Sequence, residues 1–182
     1  PVGGPLNPSG DFETAISELD TTSYALFGQA DYALTDTLTL TGGLRYSMDK
    51  KSGTEWLRII AYGIIPGFTV GGSGSRDLEN EWNALSGVAG IQWQPSDETN
   101  LFMRYSRGYK SGGFNAGGIS QFPQTGEELL DAFEIGAKQS FGDQLQVNAT
   151  AYHYSYDGLQ VPLDVEENGV RLTRFFNLAD SS

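Results

Sequence analysis

The sequence predicts an all-β fold in which antiparallel strands form one segment of a transmembrane β-barrel. Three observations lead to this prediction. Segments rich in Thr, Tyr, Val and Leu alternate apolar and polar residues with a period of two. Short hydrophilic connections alternate with long ones, and aromatic residues stand at the strand ends beside the short connections.

Six segments have strand character, and a seventh lies near the end of the chain. Their approximate bounds are 23–32, 37–47, 84–93, 100–106, 133–141 and 145–154, followed by 170–177. Each of the first six has an apolar and a polar face. No position on the apolar faces is charged, although 19% of the residues in the chain are. The apolar faces would form the core of a soluble sandwich or would contact lipid in an outer-membrane barrel, so periodicity leaves both architectures open.

The lengths of the connections favour the membrane barrel. Three are short, at residues 33–36, 95–99 and 142–144, and two are long, at about 48–83 and 107–132. Short turns at one rim and long loops at the other are typical of outer-membrane barrels, whose turns are periplasmic and whose loops are extracellular.

Aromatic residues lie on the apolar face beside each short turn, at Tyr32, Trp93 and Phe141. This is where an interfacial girdle is expected, although aromatic residues also favour strands in general. In the first long loop, the apolar run 59–65 is expected to extend its hairpin above the membrane.

Composition excludes several classes of protein. With no cysteine the chain has neither a disulfide framework nor a thiolate metal site. Its net charge of −12 makes it a poor candidate for binding nucleic acid. A transmembrane helix is also excluded. The most apolar run, 59–65, ends at Pro66, far short of the roughly 20 residues that a helical span requires. Since the chain begins Pro1-Val2 with neither Met nor a signal peptide, we expect it to be a piece of a longer protein.

Four sets of residues together resemble the barrels of TonB-dependent receptors, in the order usual for that family. The first is Phe27-Gly28-Gln29-Ala30 with Leu38-Thr39-Leu40-Thr41-Gly42-Gly43-Leu44-Arg45-Tyr46. The second is Tyr105-Ser106-Arg107-Gly108-Tyr109-Lys110-Ser111-Gly112-Gly113-Phe114-Asn115. The third is Phe133-Glu134-Ile135-Gly136-Ala137-Lys138, with Ala149-Thr150-Ala151-Tyr152 and Leu159-Gln160-Val161. The fourth is Phe175-Phe176-Asn177-Leu178-Ala179.

The resemblance implies a 22-stranded barrel whose lumen is closed by an N-terminal plug. Residues 1–182 would then be one partial barrel domain of about seven strands, without the plug and the remaining strands. The implied function is active transport across the bacterial outer membrane, not catalysis. The implied partners are membrane lipid, the TonB complex acting through the missing plug, and an iron–siderophore complex or a similar scarce solute.

Two other architectures stay open at this stage. One is a complete small outer-membrane barrel with a structural or adhesive role, for which the length is suitable. A single-chain barrel must close and commonly has an even number of strands, however, so seven strands fit it poorly. The other is a soluble β-sandwich, which the one-sided loop lengths disfavour.

Five residues are candidates for contact with ligand. Arg104, Arg107 and Lys110 would form a cationic rim that attracts an anionic chelate, unless they pair with acidic residues such as Asp31 or Glu134 on neighbouring strands. Tyr152 and Tyr154, which continue to Tyr156 as one stripe, would stack on an organic ligand or pack against the lumen wall. The lone His153 and the loop carboxylates Glu127-Glu128 and Glu166-Glu167 predict no catalytic, metal or cofactor site, and the carboxylates are expected to be solvated.

Overall fold

All regular elements of the computed structural model are β-strands, and it describes residues 12–62, 69–117, 119–167 and 170–178. The strands are β1 Phe12–Thr35, β2 Leu38–Tyr62, β3 Thr69–Ser96, β4 Thr99–Lys110, β5 Gly113–Phe114, β6 Gln124–Thr125, β7 Glu128–Phe141, β8 Leu145–Asp157, β9 Leu159–Glu167 and β10 Val170–Leu178. Among these residues no helix is long and apolar enough to cross a membrane.

Six strands form one antiparallel sheet in the order β1-β2-β3-β4-β7-β8, so neighbours in the chain are neighbours in space. β9 and β10 form a separate two-stranded hairpin, and β5 pairs with β6 inside the loop between β4 and β7. β1 and β8 are the edges of the described sheet, which is therefore an open wall. The all-β antiparallel prediction is confirmed.

The wall strands extend further than the sequence predicts. The expected long loop at 48–83 is mostly strand, because β2 and β3 stay paired from Leu38 and Trp93 up to Tyr62 and Thr69. The expected extension of this hairpin is thus confirmed as far as residue 62, and the rest of the apolar run, 63–65, lies outside the described residues. The sequence predicted loops here because polar and glycine residues dominate the alternation in this region.

The seventh predicted strand forms as β10 but does not join the wall. It pairs with β9, which the sequence analysis did not predict as a strand. Only Gly158 separates β8 from β9, and its φ of 68° lies in the left-handed region that glycine adopts without strain. A Cβ there would lie 2.7 Å from the Glu127 carbonyl oxygen. Gly158 therefore lets the chain turn out of the wall into the β9–β10 hairpin.

The apolar face of the wall is uncovered by any other described segment. Its large side chains are exposed to the surroundings: Tyr24, Leu26, Tyr32, Leu44, Leu85, Trp93, Met103, Phe133, Ile135 and Phe141. The buried hydrophobic side chains are few, namely Leu78, Trp82 and Ala132. A soluble sandwich would bury these faces against a second sheet, and the described residues provide none.

The aromatic residues at the short turns follow a line that is oblique to the strands. The pairing register places Tyr32 of β1 in one row with Ile135 of β7, four strands away. Phe141 lies six residues beyond Ile135, or about 20 Å, while four strand spacings amount to about 19 Å. Trp93 lies between the two. If these residues mark one membrane boundary, the strands tilt by about 45°, close to the range of outer-membrane barrels.

We predict that a charge is tolerated on one face of β8 and not on the other. In the whole receptor, Ala149→Arg puts a cation on the apolar face, whereas Thr150→Arg puts it on the polar face one residue away. The first change should reduce the stability of the barrel in lipid vesicles, measured as its free energy of unfolding, by about 2–4 kcal/mol. The second change should reduce it by far less. Denaturant titration in vesicles measures both, and equal losses would contradict the assignment of the faces.

Candidate functional site

One row of paired residues on the polar face of the wall contains the candidates Arg104 and Tyr152. Paired residues on adjacent strands share a face, and the register links Asp31, Thr41, Gly90, Arg104, Glu134 and Tyr152 across all six strands. Thr41 donates a hydrogen bond of 2.6 Å to Asp31. A cavity of about 590 Å³ lies on this face and is lined by Asp31, Arg104, Glu134 and Lys138. Acidic and basic side chains thus alternate along this face.

The three cations expected to form one rim are divided between environments. Arg104 lies on the polar face. Arg107 is an odd number of residues away and lies on the other face, where it makes a two-point ion pair with Asp131 at 2.7 and 2.5 Å. The Tyr105 hydroxyl donates to the same carboxylate at 2.5 Å. Lys110 is the last residue of β4, and its Nζ lies 3.9 Å from the Glu128 carboxylate at the start of β7. A single rim of Arg104, Arg107 and Lys110 therefore does not form.

The predicted tyrosine stripe does lie together on the polar face of β8. Tyr152 and Tyr154 stack with ring centroids 5.0 Å apart, and the Tyr152 side chain is 68% exposed. The Tyr154 hydroxyl is 3.4 Å from Glu134. His153 lies on the opposite face, paired with Phe133. In the described part of the chain, no group of three His, Cys, Asp or Glu side chains could hold a metal ion.

Above the wall, residues 111–127 form a loop that is held between two hairpins. On one side is the upper part of the β2–β3 hairpin, and on the other is β9–β10. We call this assembly the loop clasp and define it by four charged residues, Glu55 and Arg76 from the first hairpin and Glu167 and Arg174 from the second. Glu55 is completely buried, while Glu167 and Arg174 are each 4% exposed.

The clasp holds the loop by its backbone, with one charge of each sign on either side. The Gly117 N–H donates to Glu55 at 2.9 Å, and the Gly117 carbonyl accepts from Arg174 at 2.7 Å. The Ser120 carbonyl accepts from Arg76 at 2.8 Å, and the Ser120 hydroxyl donates to Glu167 at 2.8 Å. Within the hairpins, Arg76 pairs with Glu55, and Arg174 pairs with Glu167 at 2.8 Å.

Two asparagines strengthen the clasp, because their side-chain amides form hydrogen bonds with backbone groups that have no strand neighbour there. Asn115 accepts from the Phe175 N–H at 2.8 Å and donates to the Phe175 carbonyl at 2.9 Å, as a neighbouring strand would. Asn177 accepts from Thr125 at 2.8 Å and donates to the Gly158 carbonyl at 2.7 Å. Both belong to motifs that carried the family resemblance, and the structure gives these motifs a physical role in joining the loop to β10.

The clasp was not predicted from the sequence, and one expectation about its residues was wrong. Glu167 is buried and paired, although loop carboxylates were expected to be solvated. Glu128 is also engaged, since it accepts from the Gln160 N–H at 2.8 Å. The partners lie far apart in the chain, and sequence spacing gives no signal for such contacts. Asn115 and Asn177, as motif residues, were the one available indication.

The hydrogen bonds of the clasp alter the acidity of Glu167. Burial alone would raise the pKa of this carboxyl. Arg174, the Ser120 hydroxyl and the Gln121 N–H all stabilise its charged form, and together they hold the pKa below the ordinary value of 4.5. The carboxylate therefore stays ionised at neutral pH, and the clasp retains its charge pairs.

These features define the chain as a wall segment of a membrane-spanning β-barrel with a braced loop at one rim. The family model for the TonB-dependent receptor-like β-barrel matches residues 1–181. The chain belongs to the TonB-dependent receptors, a family of outer-membrane receptors and transporters.

Three similar proteins agree with this assignment. The pesticin receptors of Yersinia pestis and of Yersinia enterocolitica serotype O:8 are each 27% identical over 161 residues, which is 84% of this chain. In fold, the chain resembles the crystal structure of the ferric yersiniabactin uptake receptor FyuA from Yersinia pestis, with a TM-score of 0.63 and 19% identity over 86% of this chain. The chain spans 22% of the length of those pesticin receptors and 23% of the solved receptor chain.

We predict that removing the charge of Glu167 loosens the loop. Glu167 is covered mainly by its own partners, so Glu167→Gln should cost about 1–3 kcal/mol locally. Hydrogen exchange at the Gln121 amide, which donates to Glu167 at 3.1 Å, should then accelerate. The matched control is Asp164→Asn, which breaks the exposed pair with Arg171 on the same hairpin and should leave that exchange unchanged. Equal effects of the two variants would exclude a specific role for the buried pair.

The same carboxylate predicts a pH dependence. A carboxyl whose pKa is lowered by folding stabilises the folded state fully above its ordinary value of 4.5, and this stabilisation is lost as the pH falls through the lower, folded-state pKa. Protection of the Gln121 amide, corrected for its intrinsic exchange rate, should therefore be constant from neutral pH to about 4.5 and fall below it. Glu167→Gln should abolish this loss of protection at low pH. If the loss persists in the variant, another titrating group causes it.

Proposed function

We propose that this chain is part of the barrel wall and extracellular rim of a bacterial outer-membrane receptor for TonB-energised uptake of a scarce solute. An iron–siderophore complex is the solute we favour. In this proposal the apolar face contacts membrane lipid and the polar face lines the lumen of a 22-stranded barrel. A plug that closes this lumen communicates with TonB.

One observation carries this proposal: the two faces of a single open sheet. A sheet with an uncovered apolar face needs lipid against it, because water there would be costly. A face with alternating charges needs water or a polar partner. Both requirements are met when the sheet forms the wall of a lumen in a membrane. Family membership supports the same arrangement.

The names of the relatives support the choice of solute. One relative is named a pesticin receptor and another a ferric yersiniabactin uptake receptor, and we extend the uptake of a ferric compound to this chain as a proposal. Arg104, Tyr152 and Tyr154 share the polar face and are our candidates for contact with such a chelate. Lys110, which is exposed at the end of β4, stays a candidate at the rim. Arg107, predicted as a fifth contact, is directed away from the lumen in this arrangement.

The alternative of a complete small barrel receives no support from the sheet. Closure would require the first and last wall strands to pair. In the described residues, β1 pairs only with β2 and β8 pairs only with β7. No observation favours a structural or adhesive role over uptake.

We predict that the whole receptor containing this chain confers uptake of an anionic ferric siderophore. It would be produced in a host that lacks its own siderophore receptors and supplied with radiolabelled ferric yersiniabactin and, separately, with ferric citrate. Cell-associated iron should rise for at least one chelate, and deletion of TonB should abolish the rise. Surface exposure of the receptor is verified in parallel by protease accessibility of intact cells.

Two results would contradict the proposal. Uptake that persists without TonB would exclude the energised mechanism. A receptor that reaches the surface but binds neither chelate would exclude an anionic ferric siderophore as its solute class, while leaving the barrel-wall assignment intact.

A further inference from the structure

Beneath the loop clasp, the polar face contains a second cavity of about 490 Å³ that involves none of the predicted contact residues. We call it the arginine pocket, and its polar lining includes Ser23, Arg45, Ser47, Asp49, Ser86 and Tyr109. Most of these residues lie on the polar face of β1, β2 and β3, paired as Ser23 with Asp49 and Arg45 with Ser86. Tyr109 reaches the pocket from the end of β4.

Arg45 is held in place without a charge partner. Its Nε donates to the Ser47 hydroxyl at 3.0 Å, and its guanidinium carbon lies 5.7 Å from the centre of the Phe27 ring. No described carboxylate lies within 4.0 Å of it. By contrast, such a partner is present for Arg76, Arg107, Arg171 and Arg174. Arg104, on the same polar face as Arg45, has none among the described residues either. Arg45 is exposed, and its Nε is the atom that makes the described hydrogen bond, so its terminal nitrogens are available to a ligand.

The other groups of the pocket are mostly hydroxyl donors. The Tyr109 hydroxyl is buried and makes no hydrogen bond with any residue that the structure describes, although it lies close to Asp49. Asp49 is itself engaged, since Ser23 donates to it at 2.5 Å. The pocket therefore offers a guanidinium fork and an unused hydroxyl, while its one acid is already hydrogen-bonded.

From this geometry we propose that the arginine pocket binds a carboxylate-type oxyanion through the two terminal nitrogens of Arg45, with Tyr109 as a further donor. A planar guanidinium fork matches a carboxylate in two parallel hydrogen bonds. The oxyanion comes either from the solute in the lumen or from a segment of the same receptor that enters the lumen. The inference rests on the proposed function only in taking this face as the lumen.

Arginine footprinting of the whole receptor tests the proposal without any mutation. The receptor is treated with phenylglyoxal, which modifies free guanidinium groups, and the rate at each arginine is read by mass spectrometry with and without citrate as the carboxylate probe. The reference is Arg171, whose side chain is 79% exposed. An oxyanion on Arg45 should slow its modification about tenfold relative to Arg171, as expected for about 1.4 kcal/mol of binding.

Each outcome separates the possibilities. Slow modification of Arg45 only with citrate supports an oxyanion from solution. Slow modification without citrate, relieved by a mild denaturant before the barrel unfolds, supports an oxyanion from the receptor itself. Modification as fast as that of Arg171 under both conditions would overturn the pocket. Because footprinting does not require transport, protection without uptake would reject the proposed function alone, and uptake without protection would reject the pocket alone.

Discussion

The structure depends on one constraint: backbone hydrogen bonds must be satisfied by neighbouring strands while one face of the sheet stays apolar. In an antiparallel sheet every second side chain points to the same side, so a single register determines which residues meet lipid. The six wall strands keep this register along their paired residues, apart from shifts beside two short turns, at 33–35 and 93–96. Shifting any wall strand by one residue would place charges such as Arg104 and Glu134 on the apolar face, which makes the register energetically compulsory.

The same alternation of side chains explains why the candidate cations do not all lie on one face. Arg104 and Arg107 are three positions apart on the same strand. Because side chains alternate between the faces of a sheet, an odd separation places them on opposite faces. Arg107 is accommodated at the end of the apolar face by Asp131 and the Tyr105 hydroxyl, which neutralise and solvate its charge. A cation close to lipid thus has its partner beside it, whereas Arg104 and Arg45 keep their charges towards the polar face.

Above the wall, stability has a different origin. The loop clasp contains few apolar contacts, among them Trp82 against Phe114 with ring centroids 5.7 Å apart. It is built mainly from buried ion pairs and side-chain amides bonded to the loop backbone. Glycine-rich segments such as 111–118 cannot form a hydrophobic core, so polar groups have to be satisfied one by one. This arrangement connects hairpins that are not neighbours in the sheet, and it braces the rim around the proposed binding region.

Local pattern by itself determined much of this protein. The period of two, the short turns and the motifs fixed the strand type, the two faces and the family, because these properties depend on neighbours in sequence. Only the tertiary structure decided that 48–62 and 69–83 pair as a tall hairpin, that β10 pairs with β9, and that Glu167 is buried. Each of these depends on contacts between distant segments, and composition hides them since polar loops and polar braces use the same residues. The arginine pocket likewise exists only where three strands and the end of β4 meet.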